Sequence, residues 1–172
     1  MNEDDIIVRD YTLDAIQVER TVPGSFFDHP PVAGLGWGFG AALGAKLASP
    51  EKTVVATMGD GSFIFSNPVA CHWAARAHNL PVLVVVFNNR TWGSVKRNVR
   101  ALYPDGWAVG QDDFPFTSLE PSPPFEKICE AHGGYGEWVE APEEIKPALE
   151  RALHAVREEG RQALLNVICK KP

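Results

Sequence analysis

The chain has 172 residues, 45% hydrophobic and 22% charged, with a formal net charge of −6, which suits one globular domain spanning 1–172. Sixteen basic against 22 acidic side chains leave no basic excess for nucleic acid, and no apolar run is long enough for a membrane span. The acidic start Met1-Asn2-Glu3-Asp4-Asp5 fits neither a secretory signal nor a transit peptide, and Cys71, Cys129 and Cys169 are too widely spaced for a disulfide frame or a zinc site, so a cytoplasmic protein with reduced thiols is expected.

Along the chain, Ile6-Ile7-Val8 is a short apolar run, and residues 21–31 are rich in turn formers and aromatics. Residues 34–48 consist mostly of Gly, Ala and Leu, which predicts a loop entering a tightly packed helix. Residues 53–58 form a β-rich run that closes on Gly59-Asp60-Gly61, and a helix is expected at about 68–78. The strongest strand signal is 82–87; its apolar residues do not alternate, as expected of a central parallel strand covered on both faces. That run stops at Asn88-Asn89. Residues 101–124 hold five prolines and several acids and are assigned to a mobile loop. A helix at 125–132, a strand at 135–139, a helix at 142–158 and a strand at 163–168 complete the chain. Strands alternating with helices predict an α/β fold, a mainly parallel sheet with helices on both faces. Ligands of such sheets sit beyond the carboxyl ends of the strands.

Two polar clusters fall at strand ends, Gly59-Asp60-Gly61-Ser62 and Asn88-Asn89-Arg90-Thr91. The first sets one carboxylate between residues without Cβ, so a bulky anion can approach the backbone, and the following helix offers free N–H groups. The second supplies amide oxygens and, at Thr91, a backbone carbonyl. One carboxylate, one amide oxygen and one carbonyl form an all-oxygen, singly charged set that suits Mg²⁺ completed by phosphate oxygens. Either cluster alone reads most simply as a turn; the pair, in order and about a helix and a strand apart, points to a diphosphate cofactor held through the metal.

These residues resemble the signature of thiamine-diphosphate-dependent enzymes. The similarity extends upstream through Pro23-Gly24-Ser25-Phe26-Phe27 and the run 34–48, and covers most of residues 6–100. Within that family the chain is similar to the carboxy-terminal, diphosphate-binding domain of the benzoylformate decarboxylase and acetolactate synthase branch. The resemblance implies that the thiamine-diphosphate-binding fold is present, with Mg²⁺ held by Asp60, the Asn89 side chain and the Thr91 carbonyl. It places Gly59, Gly61, Ser62, Gly93 and, more weakly, Thr12 around the diphosphate. Leu35 corresponds to the bulky residue that bends the cofactor, with the Leu35 amide and the Ala33 carbonyl on its aminopyrimidine. The segment between the two motifs is slightly longer here than in common decarboxylases, with Asn67-Pro68 near its start.

Family members are several-fold longer, and the glutamate that activates the cofactor lies in a separate pyrimidine-binding domain. No Glu in this chain sits in a comparable motif. The chain is then either a stand-alone subunit or an excised domain, and the expectation is a split enzyme: this chain anchors the metal and diphosphate, and a partner subunit carries the pyrimidine-binding domain in a hetero-oligomer with two copies of each chain or more. The implied chemistry is C–C cleavage or formation on a small 2-oxo acid or acyl substrate through the thiazolium ylid. A 2-hydroxyacyl-CoA lyase, an oxidative 2-oxo acid decarboxylase component and a non-catalytic nucleotide-binding or regulatory subunit remain alternatives. No catalytic residue is assigned in this chain; His29, Ser94 and Val95 are possible pocket residues. His72 and His78 read as packing or surface residues. The cluster Lys96, Arg97 and Arg100 reads as a solvated helix face, and Trp92, Tyr103 and Trp107 as parts of a loop over the site.

Overall fold

A computed structural model of the chain describes residues 1–10, 13–29, 32 and 34–171. Six strands, β1 (Ile6–Asp10), β2 (Phe26–Asp28), β3 (Val54–Gly59), β4 (Leu83–Asn88), β5 (Tyr135–Val139) and β6 (Ala163–Ile168), form one sheet in the order β2-β1-β3-β4-β6-β5. Every pairing is parallel. The helices are α1 (Trp37–Ala48), α2 (Asp60–Phe65), α3 (Pro68–Ala77), α4 (Gly93–Leu102), α5 (Trp107–Gly110), α6 (Phe125–Ala131) and α7 (Ile145–Arg157).

The unbroken apolar run of β4 is explained by the two-residue period of a strand. Val84 and Val86 face one core, with Val54, Ala56 and Met58 of β3, Phe39 of α1, Phe63 of α2 and Phe125 of α6. Leu83 and Val85 face a second core, with Val55, Leu165 and Val167 and the Ala148, Ala152 and Val156 stripe of α7. Both faces of the central strands are thus covered by helices, as the alternating pattern implied.

Three sequence expectations need correction. Residues 26–28, inside the stretch read as turns, form β2, a three-residue edge strand paired to β1 through Ile7 and Phe26. The Gly-Asp-Gly segment is not a loop: β3 ends at Gly59 and α2 begins directly at Asp60. Residues 101–124 contain the end of α4 and the whole of α5.

His72 of α3 is a packing residue, fully buried. Its ring lies edge-on to Phe39 at 4.8 Å and to Phe63 at 6.0 Å, and Nδ1 sits 2.7 Å from Gln162 Oε1. Burial pushes the imidazole down to about 4. An unfolded histidine protonates near 6.5, so the unfolded state binds the extra proton between those values. The contribution to stability is fully present above pH 6.5 and is lost as pH falls through 4, by on the order of 3 kcal/mol. Urea unfolding across this window is expected to show that loss, and His72→Asn is expected to remove this part of the slope.

Candidate active site

Adjacent strands β3 and β4 run in register, Gly59 opposite Phe87, so the two polar clusters leave the sheet side by side. Asp60 opens α2 and is only 4% exposed. Its Oδ1 accepts the Gly61 N–H at 2.8 Å, whereas its buried Oδ2 has no partner among the described residues. Burial pushes this carboxyl up, and the backbone amides of Gly61, Arg90, Thr91 and Asn89 offset part of that effect.

Beyond β4 the chain makes two successive Asx turns. Asn88 Oδ1 accepts the Arg90 N–H at 3.1 Å and Asn89 Oδ1 accepts the Thr91 N–H at 3.0 Å. Arg90 between them has φ +59°, the left-handed region. The Thr91 carbonyl accepts the Gly93 N–H at 2.8 Å, and α4 starts there. The segment 117–119 clamps the turn from outside: the Thr117 carbonyl accepts the Thr91 hydroxyl at 2.7 Å and the Trp92 N–H at 2.8 Å, and the Leu119 N–H donates to the Arg90 carbonyl at 2.9 Å.

A cleft of about 360 Å³ opens between these elements. It brings together Leu35, Gly59, Asp60, Gly61, Ser62, Asn89, Thr91, Gly93, Ser94 and Val95, all singled out from the sequence. His29 is not on its wall; it follows β2 beside Asp28, whose Oδ1 accepts the His29 N–H at 2.8 Å. Thr12 and Ala33 lie outside the described residues. The cleft also takes in Phe87, Trp92, Arg97, Cys169 and Lys170. Of these, Arg97 had been read as part of a solvated face. Cys169 and Lys170 carried no local signal; they reach the cleft because β6, which they follow, pairs with β4. Lys96 and Arg100 instead lie over the Phe114 ring, at 5.3 and 4.7 Å.

The donor set fits a small hard cation. Asp60 Oδ2 is a buried carboxylate oxygen without a partner among the described residues, and the Asn89 and Thr91 oxygens share its cleft, accepting the Thr91 and Gly93 N–H respectively and keeping a second lone pair. Oxygen ligands bearing one charge match Mg²⁺ that also binds phosphate.

Two glycines shape the site. An ideal Cβ on Gly61 would lie 2.2 Å from the Trp92 ring. The Trp92 indole therefore packs directly onto Gly61, which only a residue without a side chain allows, while Gly61 still lines the cleft. Gly36, which follows Leu35, has φ +89°, and a Cβ there would meet the Phe65 backbone at 2.5 Å. Its N–H and that of Gly38 both donate to buried Asp10 Oδ2, at 3.1 and 3.0 Å. The carboxylate at the end of β1 thus fixes the turn that presents Leu35.

An all-parallel sheet with a cation-fitting cleft beyond adjacent strand ends defines the α/β proteins that bind ligands at that edge. The chain belongs to the thiamine pyrophosphate enzymes: residues 10–167 match the family described as "Thiamine pyrophosphate enzyme, C-terminal TPP binding domain". It is 38% identical over 152 residues to a probable acetolactate synthase of Mycobacterium bovis, covering 88% of this chain and 25% of that protein. It is 33% identical over 146 residues to benzoylformate decarboxylase of Pseudomonas aeruginosa, covering 82% and 25%. The structure of a thiamine diphosphate-dependent 4-hydroxybenzoylformate decarboxylase from Rhodococcus jostii RHA1 superposes with a TM-score of 0.82 at 27% identity, over 99% of this chain and 30% of that one. The chain spans about a quarter of the length of the curated relatives it matches.

Proposed function

We propose that this chain holds the Mg²⁺–diphosphate end of thiamine diphosphate in an enzyme that breaks or forms a C–C bond beside the carbonyl of a 2-oxo acid. The observation that carries this reading is the partnerless Asp60 Oδ2, buried in a cleft that also presents Asn89 and Thr91. Asp60, the Asn89 side chain and the Thr91 carbonyl are the metal ligands. Gly59, Gly61, Ser62 and Gly93 border the diphosphate, and Arg97 and Lys170 bring positive charge to the same cleft. Leu35, 45% exposed at the cleft, is the apolar prop for the cofactor's bend. Ser94 and Val95, at the start of α4, face the substrate. Bound thiamine diphosphate supplies the carbon nucleophile and the electron sink; the work of this chain is to bind, orient and neutralise charge.

The pyrimidine half of the cofactor, in this reading, is held by a partner subunit whose pyrimidine-binding domain brings the activating glutamate. Supporting it, the family match is to a C-terminal domain, and apolar side chains at the cleft face outward: Leu35 on its wall, and Phe65, 63% exposed and packed on the cleft residue Trp92. Surface of this kind marks interaction sites. Residues 101–124, whose Tyr103 and Trp107 are exposed, are proposed to move over the cleft when substrate binds. No helix of the described residues is long and apolar enough to cross a membrane, and the cytoplasm is the proposed location.

A tagged pull-down from the native cell tests the assembly. The expected result is a stoichiometric chain bearing a pyrimidine-binding domain, and turnover of small 2-oxo acids by the complex. A chain that purifies alone as a monomer, with no turnover, contradicts it.

A further inference from the structure

The turn that presents Asn89 and Thr91 rests on a buried polar chain reaching into the fold. Asn88 at the end of β4 and Asn166 in β6 are fully buried, and Glu126 in the first turn of α6 is 6% exposed. Asn166 Nδ2 donates to Glu126 Oε2 at 2.9 Å. Asn88 Nδ2 donates to Asn166 Oδ1 at 3.0 Å and to Ser122 Oγ at 2.9 Å. Asn88 Oδ1 then accepts the Arg90 N–H at 3.1 Å.

We infer that Glu126 and Asn166 are positioning residues for the cation-binding turn: through Asn88 they hold Arg90 in its left-handed conformation, and so set where Asn89 and Thr91 present their oxygens. This rests on the metal-site reading given above. The physical reason is the direction of the chain. A side-chain amide can turn over and exchange its oxygen for its nitrogen. A carboxylate only accepts, so Glu126 obliges Asn166 to aim Nδ2 at it and Oδ1 at Asn88. With Asn166 Oδ1 and Ser122 Oγ both receiving from Asn88 Nδ2, the Asn88 oxygen is left facing the turn. There it bonds the amide of a non-glycine residue whose left-handed backbone carries a cost. Asn166 pairs with Val86, two residues before Asn88, so the chain runs beneath the turn and touches neither the cleft nor its ligand oxygens.

Asn166→Leu and Glu126→Leu are expected to weaken Mg²⁺ binding in the assembled protein, measured by titration with thiamine diphosphate present, between about ten- and a hundredfold. Glu126→Gln keeps an acceptor and is expected to bind close to the wild-type value. Hydrogen exchange at the Arg90 amide is the second readout and needs no cofactor. It is expected to accelerate in both leucine variants, but not in Val156→Ala, which loosens the opposite core without touching the turn. Ser122→Ala, which removes only the second acceptor of Asn88, serves if the leucine variants do not fold; faster Arg90 exchange is expected there as well. Wild-type binding and wild-type Arg90 exchange in the variants that fold would overturn the inference and leave the metal site standing. A wild-type assembly that binds no Mg²⁺ would instead overturn the metal-site reading, while faster Arg90 exchange in the variants would still show the turn to be held from below.

Discussion

Replacing Asp60 with alanine is expected to abolish Mg²⁺-dependent binding of thiamine diphosphate while leaving the fold intact. The two halves of this expectation have one cause. Asp60 is buried at the first position of α2, and Oδ2 meets no donor among the described residues. Burial pushes the carboxyl up, which means that the ionised group is poorly compensated in the folded chain without a cation. Removing it gives up the bond from the Gly61 N–H and the smaller effect of the Arg90, Thr91 and Asn89 amides, and relieves the burial of a charge. The melting temperature without metal is therefore expected to stay level or rise. Binding, by contrast, loses the only charged member of the proposed ligand set. Losing a mere outer-shell partner weakens metal affinity about ten- to a hundredfold, so the expected loss here is at least about a hundredfold. Asp60→Asn makes the sharper comparison, since it keeps the shape and the bond to Gly61 and removes only the charge. Calorimetric titration and thermal melts of both variants check the expectation.

The second large effect is at Gly61. The added methyl of Gly61→Ala would lie 2.2 Å from one carbon of the Trp92 ring and 2.6 Å from the next. The indole has little room to yield, because it packs edge-on against Phe65 at 5.5 Å and its own N–H backbone group is tied to Thr117. Overpacking of this kind costs about 1–3 kcal/mol. Gly61 sits in a helix, where alanine without a clash is favoured by roughly 1 kcal/mol. Gly61→Ala is thus expected to destabilise the wild-type background and to be neutral or stabilising in a Trp92→Ala background. Urea unfolding of the four proteins in this cycle reads the change of sign; an equal cost in both backgrounds would contradict the packing described here.

The sequence was most informative where periodicity ran long or where chemistry was packed into a motif. Residues 135–139 and 163–168 were read as strands and are strands with those bounds. The apolar run before Asn88 could be assigned to the middle of a parallel sheet because both of its faces are apolar. β2 could not be read: three residues at a sheet edge, two of them exposed, show no period. α2 was hidden by its own composition, since Gly-Asp-Gly is turn chemistry, and only the direct run from β3 into a helix overrides it. At the site, Leu35, Asp60, Asn89 and Thr91 announced themselves through motif and spacing. Cys169 and Lys170 did not, because reaching the cleft depends on β6 lying beside β4, a matter of strand order. For the same reason Glu126 and Asn166, far apart in the chain, gave no sign of meeting beneath Asn88. The packing of Trp92 onto Gly61 likewise depends on how the turn after β4 folds back.

The central claim is that Asp60, Asn89 and Thr91 hold a diphosphate cofactor through a divalent cation. Titration of the assembled protein with thiamine diphosphate, in Mg²⁺ and then in EDTA, tests it most directly. Saturable binding in Mg²⁺ that disappears in EDTA and returns when Mg²⁺ is restored is the expected result. Binding of equal strength with and without the cation would contradict it.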